Sequence, residues 1–135
     1  MKKVLSILIA IVLMLGAVAP AVYAASGTEI QPYYIGAKEA VPSIKITSGT
    51  AECYGRVSTR NPSYKVSLTV SLQRLDSSWV NVHSWSTSGT YNVSLTKYAT
   101  VTSGKYYRVK LEASVYDGGN LLETFEEYSG MLYCS

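Results

Sequence analysis

Histidine is almost missing from this sequence, with His83 its sole representative, and cysteine occurs twice, at Cys53 and Cys134. Every catalytic triad or histidine-based metal site would therefore have to pass through His83. Zinc sites need three or four His, Cys or carboxylate ligands, which this inventory does not supply once the cysteines are engaged elsewhere. Charged residues are sparse at 16%, and the formal net charge is only +3. Nucleic-acid binding rests on several clustered phosphate contacts, so a basic-patch function is excluded. Alanine and leucine at helical spacing are scarce, while Tyr, Ser, Thr and Val abound, which favours pleated surfaces over helices.

One long hydrophobic run is present, and it sits at the start. Lys2 and Lys3 precede an apolar stretch over residues 4–18 broken only by Ser6 and Gly16, the layout of a secretory signal peptide. Val22 and Ala24 meet the small-residue requirement of signal peptidase, so residues 1–24 are expected to be removed and the exported chain to begin at Ala25. A cut after Ala21 is the alternative. The run is shorter than the roughly 20 residues of a spanning helix, which argues against an uncleaved anchor. No cysteine follows it to take a lipid, and the short lysine pair has a bacterial look. The expected location is extracellular, with no membrane contact after cleavage. Lys2 and Lys3 carry two of the three net positive charges. The exported domain is therefore close to neutral, and at about 110 residues it fits one core and one domain.

Outside the cytoplasm a thiol pair tends to oxidise. One intramolecular disulfide between Cys53 and Cys134 is expected, ahead of two buried free thiols or an intermolecular bridge. A loop of that length is worth about 4 kcal/mol in the chain-entropy account.

Residues 25–42 lack a sustained period and contain Pro32, Gly36 and Pro42, so they read as an irregular lead-in to a domain over residues 43–135. Ile44 and Ile46, then Ala51, Cys53, Gly55 and Val57, alternate on either side of Ser48-Gly49, the pattern of a hairpin. Tyr64, Val66, Leu68, Val70 and Leu72 share one face without an error. After Asp76-Ser77-Ser78, Trp79, Asn81, His83 and Trp85 are expected opposite Val80 and Val82, with a turn over residues 86–89. Tyr91, Val93 and Leu95 mark a fifth strand, Tyr107, Val109, Leu111, Ala113 and Val115 a sixth, and Leu122, Phe125 and Tyr128 a seventh. Asp117-Gly118-Gly119-Asn120 is a hairpin signal. Seven strands without a helix predict an all-β, antiparallel immunoglobulin- or fibronectin-like β-sandwich, with a closed barrel as the alternative. Cys134 lies beyond the seventh strand, so the cysteine spacing of antibody domains is missing.

No nucleophile motif places a partner beside His83, which reads as a solvated strand residue. Glu123, Glu126 and Glu127 on one short strand read as a charged, aggregation-blocking edge rather than an acid pair across a cleft. The turn at Asp117 lacks the spacing of a calcium loop. No catalytic residue, metal or cofactor is implied. The constellation that remains is aromatic. Trp79 and Trp85 on one strand, with Tyr106 and Arg108 on another, are the candidate binding residues of an exposed face. Flat rings beside polar groups suit a glycan or a protein partner. The expected function is a non-catalytic secreted binding module. The alternatives are a secreted structural or competition factor and a small extracellular hydrolase.

The segments IQPYYIG, IKITSGTAECYGRV, YKVSLTVSLQRLDSSWVNVHSWSTSG and GKYYRVKLEASVY together resemble a family of small secreted proteins of Gram-positive Firmicutes, a domain of unknown function. The resemblance spans nearly all of the exported region, and its most specific piece is the strand-turn-strand unit over residues 66–85. It implies export and an all-β domain, and transfers no catalytic residue.

Overall fold

Period-two alternation carries through most of residues 33–135, the part of the chain that the computed structural model describes. The expected signal peptide and the start of the lead-in lie outside the described residues. Eight strands form: β1 Ala37–Thr47, β2 Thr50–Thr59, β3 Lys65–Leu75, β4 Trp79–Thr90, β5 Asn92–Thr100, β6 Lys105–Asp117, β7 Asn120–Tyr128 and β8 Leu132–Cys134. They make two antiparallel sheets, one ordered β1-β2-β5 and one ordered β4-β3-β6-β7, with β8 also paired to β6. The sheets close over one core as a β-sandwich.

The core is the alternation made physical. Val66, Leu68, Val70 and Leu72 of β3 are fully buried opposite Val115, Ala113, Leu111 and Val109 of β6. From the smaller sheet, Ala51, Cys53 and Val57 of β2 and Val93 and Ala99 of β5 point into the same layer. Burying each large aliphatic side chain contributes about 1.5–3 kcal/mol. Gly55 of β2 lies tight against the larger sheet: an added Cβ would lie 2.5 Å from Val70 Cγ2 and 3.4 Å from a Leu111 methyl. A side chain fits there only if Val70 shifts.

The turns follow their residues. Thr47 pairs with Thr50 across a two-residue loop in which Ser48 and Gly49 both have positive φ, 49° and 75°, the primed geometry whose twist suits a hairpin. Asp117 pairs with Asn120 across Gly118-Gly119 in the same compact way. Asn61 Oδ1 accepts from Ser63 N at 3.0 Å and closes the link from β2 to β3.

Four expectations need correction. The first strand begins at Ala37, six residues before the expected start of the domain, because residues 37–42 pair with β2 and Glu123 fastens the stretch just ahead of them to β7. The chain does not turn over residues 86–89; β4 runs on to Thr90, and the direction changes at Tyr91 alone. Tyr91 adopts φ 69°, uncommon for a bulky residue. Its N–H donates to Tyr64 O, just ahead of β3, at 3.0 Å, while its carbonyl accepts from Thr59 N of β2 at 2.8 Å. The tail adds an eighth strand, since Leu132, Tyr133 and Cys134 pair with Tyr107, Tyr106 and Lys105.

The fourth correction concerns the disulfide. Cys53 and Cys134 are unbonded thiols, both buried. Cys53 sits mid-sheet on β2 between Ile44 and Lys97, whereas Cys134 hangs from the last strand of the opposite sheet. The redox argument for a bridge carries no geometry, and the fold uses both side chains as small apolar fillers. Burial, and then the neighbouring charge of Glu52, push the Cys53 thiol up to about 11.

Candidate interaction face

The outward side chains of the larger sheet form a polar ladder with an aromatic end. Thr69 Oγ1 and Ser86 Oγ lie 2.8 Å apart, as do Ser71 Oγ and Ser84 Oγ. Cross-strand hydroxyl pairs of this kind add a few tenths of a kcal/mol each, up to about 1. One step further along, Gln73 is nearly buried and donates from Nε2 to Asn81 Oδ1 at 2.8 Å. Its Oε1 accepts from Arg108 Nε, also at 2.8 Å.

Gln73 thereby aims Arg108, which stands directly opposite it on β6. The guanidinium lies between two rings, its Cζ 4.3 Å from the Trp79 centroid and 4.1 Å from that of Tyr128. Stacking on two aromatic faces fixes its plane, at about 0.5–1 kcal/mol per exposed contact. Among the described residues its two Nη atoms have no hydrogen-bond partner. No buried side-chain nitrogen or oxygen of the described residues lacks a partner, so both Nη atoms reach solvent. What results is a planar double donor, held rigid and facing outward.

Tyr106 lies on the same face one alternation away. It is 42% exposed, its ring 5.0 Å from Tyr133 at a 58° tilt. Tyr133 also lines a cleft of about 390 Å³ between the β1–β2 turn and β8, together with Ile46, Ser48, Leu132 and Cys134. Beside Arg108, Lys110 reaches Glu112 at 3.2 Å and Glu126 at 3.5 Å. Burial pulls Lys110 down, but its hydrogen bond and ion pairs outweigh that and hold it above the ordinary lysine value. Glu126 is lowered first by the Tyr128 hydroxyl and then by Lys110.

Of the four candidate binding residues, Trp79, Tyr106 and Arg108 share this face and Trp85 does not. The register between β3 and β4 shifts after Leu72: Leu72 faces His83, Gln73 faces Asn81, and Val82 is left over as a bulge. Everything beyond it is turned over. Trp85 stands opposite the buried Val70 and packs against the core, with the exposed His83 ring stacked on it at 5.6 Å and 10°. Tyr128, which reads as a core position of the last strand, instead completes the clamp on Arg108. A phase change visible in the residues marks the bulge: Trp79 and Asn81 lie on odd numbers, Ser84, Ser86 and Ser88 on even ones.

The glutamates do more than guard an edge. Glu123 accepts from the backbone N–H groups of Ile35 at 2.7 Å, Gly36 at 3.0 Å and Ala37 at 2.7 Å. Glu127 accepts from the Tyr34 hydroxyl, which burial and that carboxylate push well above its ordinary value. Among the described residues no three His, Cys, Asp or Glu side chains converge to hold a metal ion. The chain matches no protein-family model and no curated protein.

Proposed function

We propose that this domain is a secreted, non-catalytic binding module that engages a glycan or a protein through the outer face of its larger sheet. Arg108, held between Trp79 and Tyr128 with both Nη atoms open to solvent, supports this reading. A stacked guanidinium with its fork unoccupied is a ready receptor for a carboxylate or similar oxyanion, which it meets through two parallel hydrogen bonds. Tyr106 and Tyr133 beside it offer flat, half-exposed rings that lose little freedom on contact. Preorganisation by Gln73 keeps the ordering cost of binding low.

The test is titration of the purified protein against neutral glycans, uronic-acid polymers and acidic peptides. Saturable binding that weakens at least about tenfold in Arg108→Lys, which keeps the charge and loses the fork, supports the reading. Binding by a folded protein that Arg108→Lys and Trp79→Ala both leave unchanged overturns it.

A further inference from the structure

A two-sheet sandwich has open edges, and here they are unequally guarded. In the smaller sheet β1 carries Lys38, Glu39, Pro42 and Lys45, with Glu39 paired to Arg56, and β5 carries Lys97. In the larger sheet β7 carries Glu123, Glu126 and Glu127, and β8 is three residues long. The remaining edge is β4, at twelve residues the longest of them, with no Lys, Arg, Asp, Glu or Pro in WVNVHSWSTSGT. Charges, prolines and shortness are the devices that keep edge strands from pairing with other chains. On β4 they are absent, and its one irregularity, the Val82 bulge, lies near the start. From His83 to Thr90 the strand pairs regularly with β3. Among the described residues no further backbone hydrogen bond reaches its other side.

We infer that β4 is a self-association edge, pairing antiparallel with the β4 of a second copy about a two-fold axis perpendicular to the sheet. The partner follows from the strand's own chemistry. Self-pairing across a two-fold brings a strand against its own sequence, so a strand whose charges share one sign meets like charges close at hand. An uncharged one meets none. Both faces must also match, because paired residues point the same way. A register centred on Ser86 satisfies this over residues 83–89: Ser86 meets its own copy, Ser84 meets Ser88, Trp85 meets Thr87 and His83 meets Gly89. The outward Ser and Thr ladder already built on β3 continues across the joint. On the inner side, the two half-buried Trp85 rings become diagonal neighbours, within reach of one another. The contact is isologous and closes at two copies.

Sedimentation of the purified protein over a concentration series tests this directly, with hydrogen exchange as a second readout. The expected species is a dimer whose amide protection over residues 83–90 rises with concentration. Ser86→Lys places two ammonium groups face to face and weakens the dimer at least about tenfold. Ser94→Lys, on the exposed surface of β5, leaves it unchanged. Antiparallel opposite residues have the spacing a disulfide needs, so Ser86→Cys oxidises to a covalent dimer and Ser94→Cys does not. A protein that stays monomeric at millimolar concentration, a dimer indifferent to Ser86→Lys, or protection rising on β1 or β5 instead overturns the inference.

Discussion

Trp79 and Trp85, six residues apart on one strand, lie on opposite faces of the sheet because Val82 is left unpaired between them. They are therefore expected to respond oppositely to removal. Trp85→Ala opens space against the core beside Val70 and costs about 2–4 kcal/mol, below the range of a fully buried tryptophan. Trp79→Ala loses a stacking contact on an exposed face and costs about 1 kcal/mol. Urea unfolding of the two variants measures the difference, and equal losses would mean the bulge is absent in solution.

Among the described glycines, Gly55 leaves the least room for a side chain. Gly55→Ala drives a methyl into Val70 and is expected to destabilise by about 1–3 kcal/mol. Combining it with Val70→Ala makes room for that methyl. The double variant should therefore lose less than the sum of the single losses, a coupling that a double-mutant cycle reads.

Glu123 serves three consecutive amides with one carboxylate. Glu123→Ala is expected to cost about 1.5–3 kcal/mol, the scale of hydrogen bonds to a charged group. Faster hydrogen exchange confined to Ile35, Gly36 and Ala37 would locate the loss. Glu126→Ala, which frees only Lys110 and the Tyr128 hydroxyl, should leave those amides protected.

The Cys53 thiol gives a pH signature with a definite sign. Its folded value, about 11, lies above the ordinary 9.0 because burial disfavours the thiolate. The unfolded chain therefore releases this proton first. The thiol's contribution is fully present below pH 9 and is lost as pH rises towards 11. Denaturant midpoints should fall over that interval, and less so in Cys53→Ala. Intact mass under alkylation, without reductant, should show no label on the native chain at pH 7 and two labels once it is unfolded.

Much of this architecture is legible in the residues. The inward rows of β3 and β6 alternate without a fault, and Ser48-Gly49 and Gly118-Gly119 sit where the backbone demands them. The candidate face was only half legible. Arg108 and Tyr106 follow from the alternation of β6, but Val80 and Val82 keep the apolar period running straight through the bulge, so Trp85 lands on the wrong side when counted by twos. Tyr128 gives no local sign of its role, because its partner, Arg108, lies twenty residues away in sequence. Ser-Thr-Ser-Gly imitates a turn where the strand in fact continues. The cysteines mislead for another reason: compartment governs whether thiols oxidise, and only the fold decides whether they meet.

Tyr91 carries the chain from one sheet to the other within a single residue, its N–H held by Tyr64 just ahead of β3 and its carbonyl by Thr59 at the end of β2. A longer loop at this crossing would be drawn taut before it carried load. Here the crossing is one residue held by a hydrogen bond on each side, so tension along β4 would reach β5 with little slack between them. A partner pulling on the larger sheet would thus be resisted by both sheets at once, and mechanical rupture should begin at the opposite end of the sandwich, where β8 contributes only three paired residues.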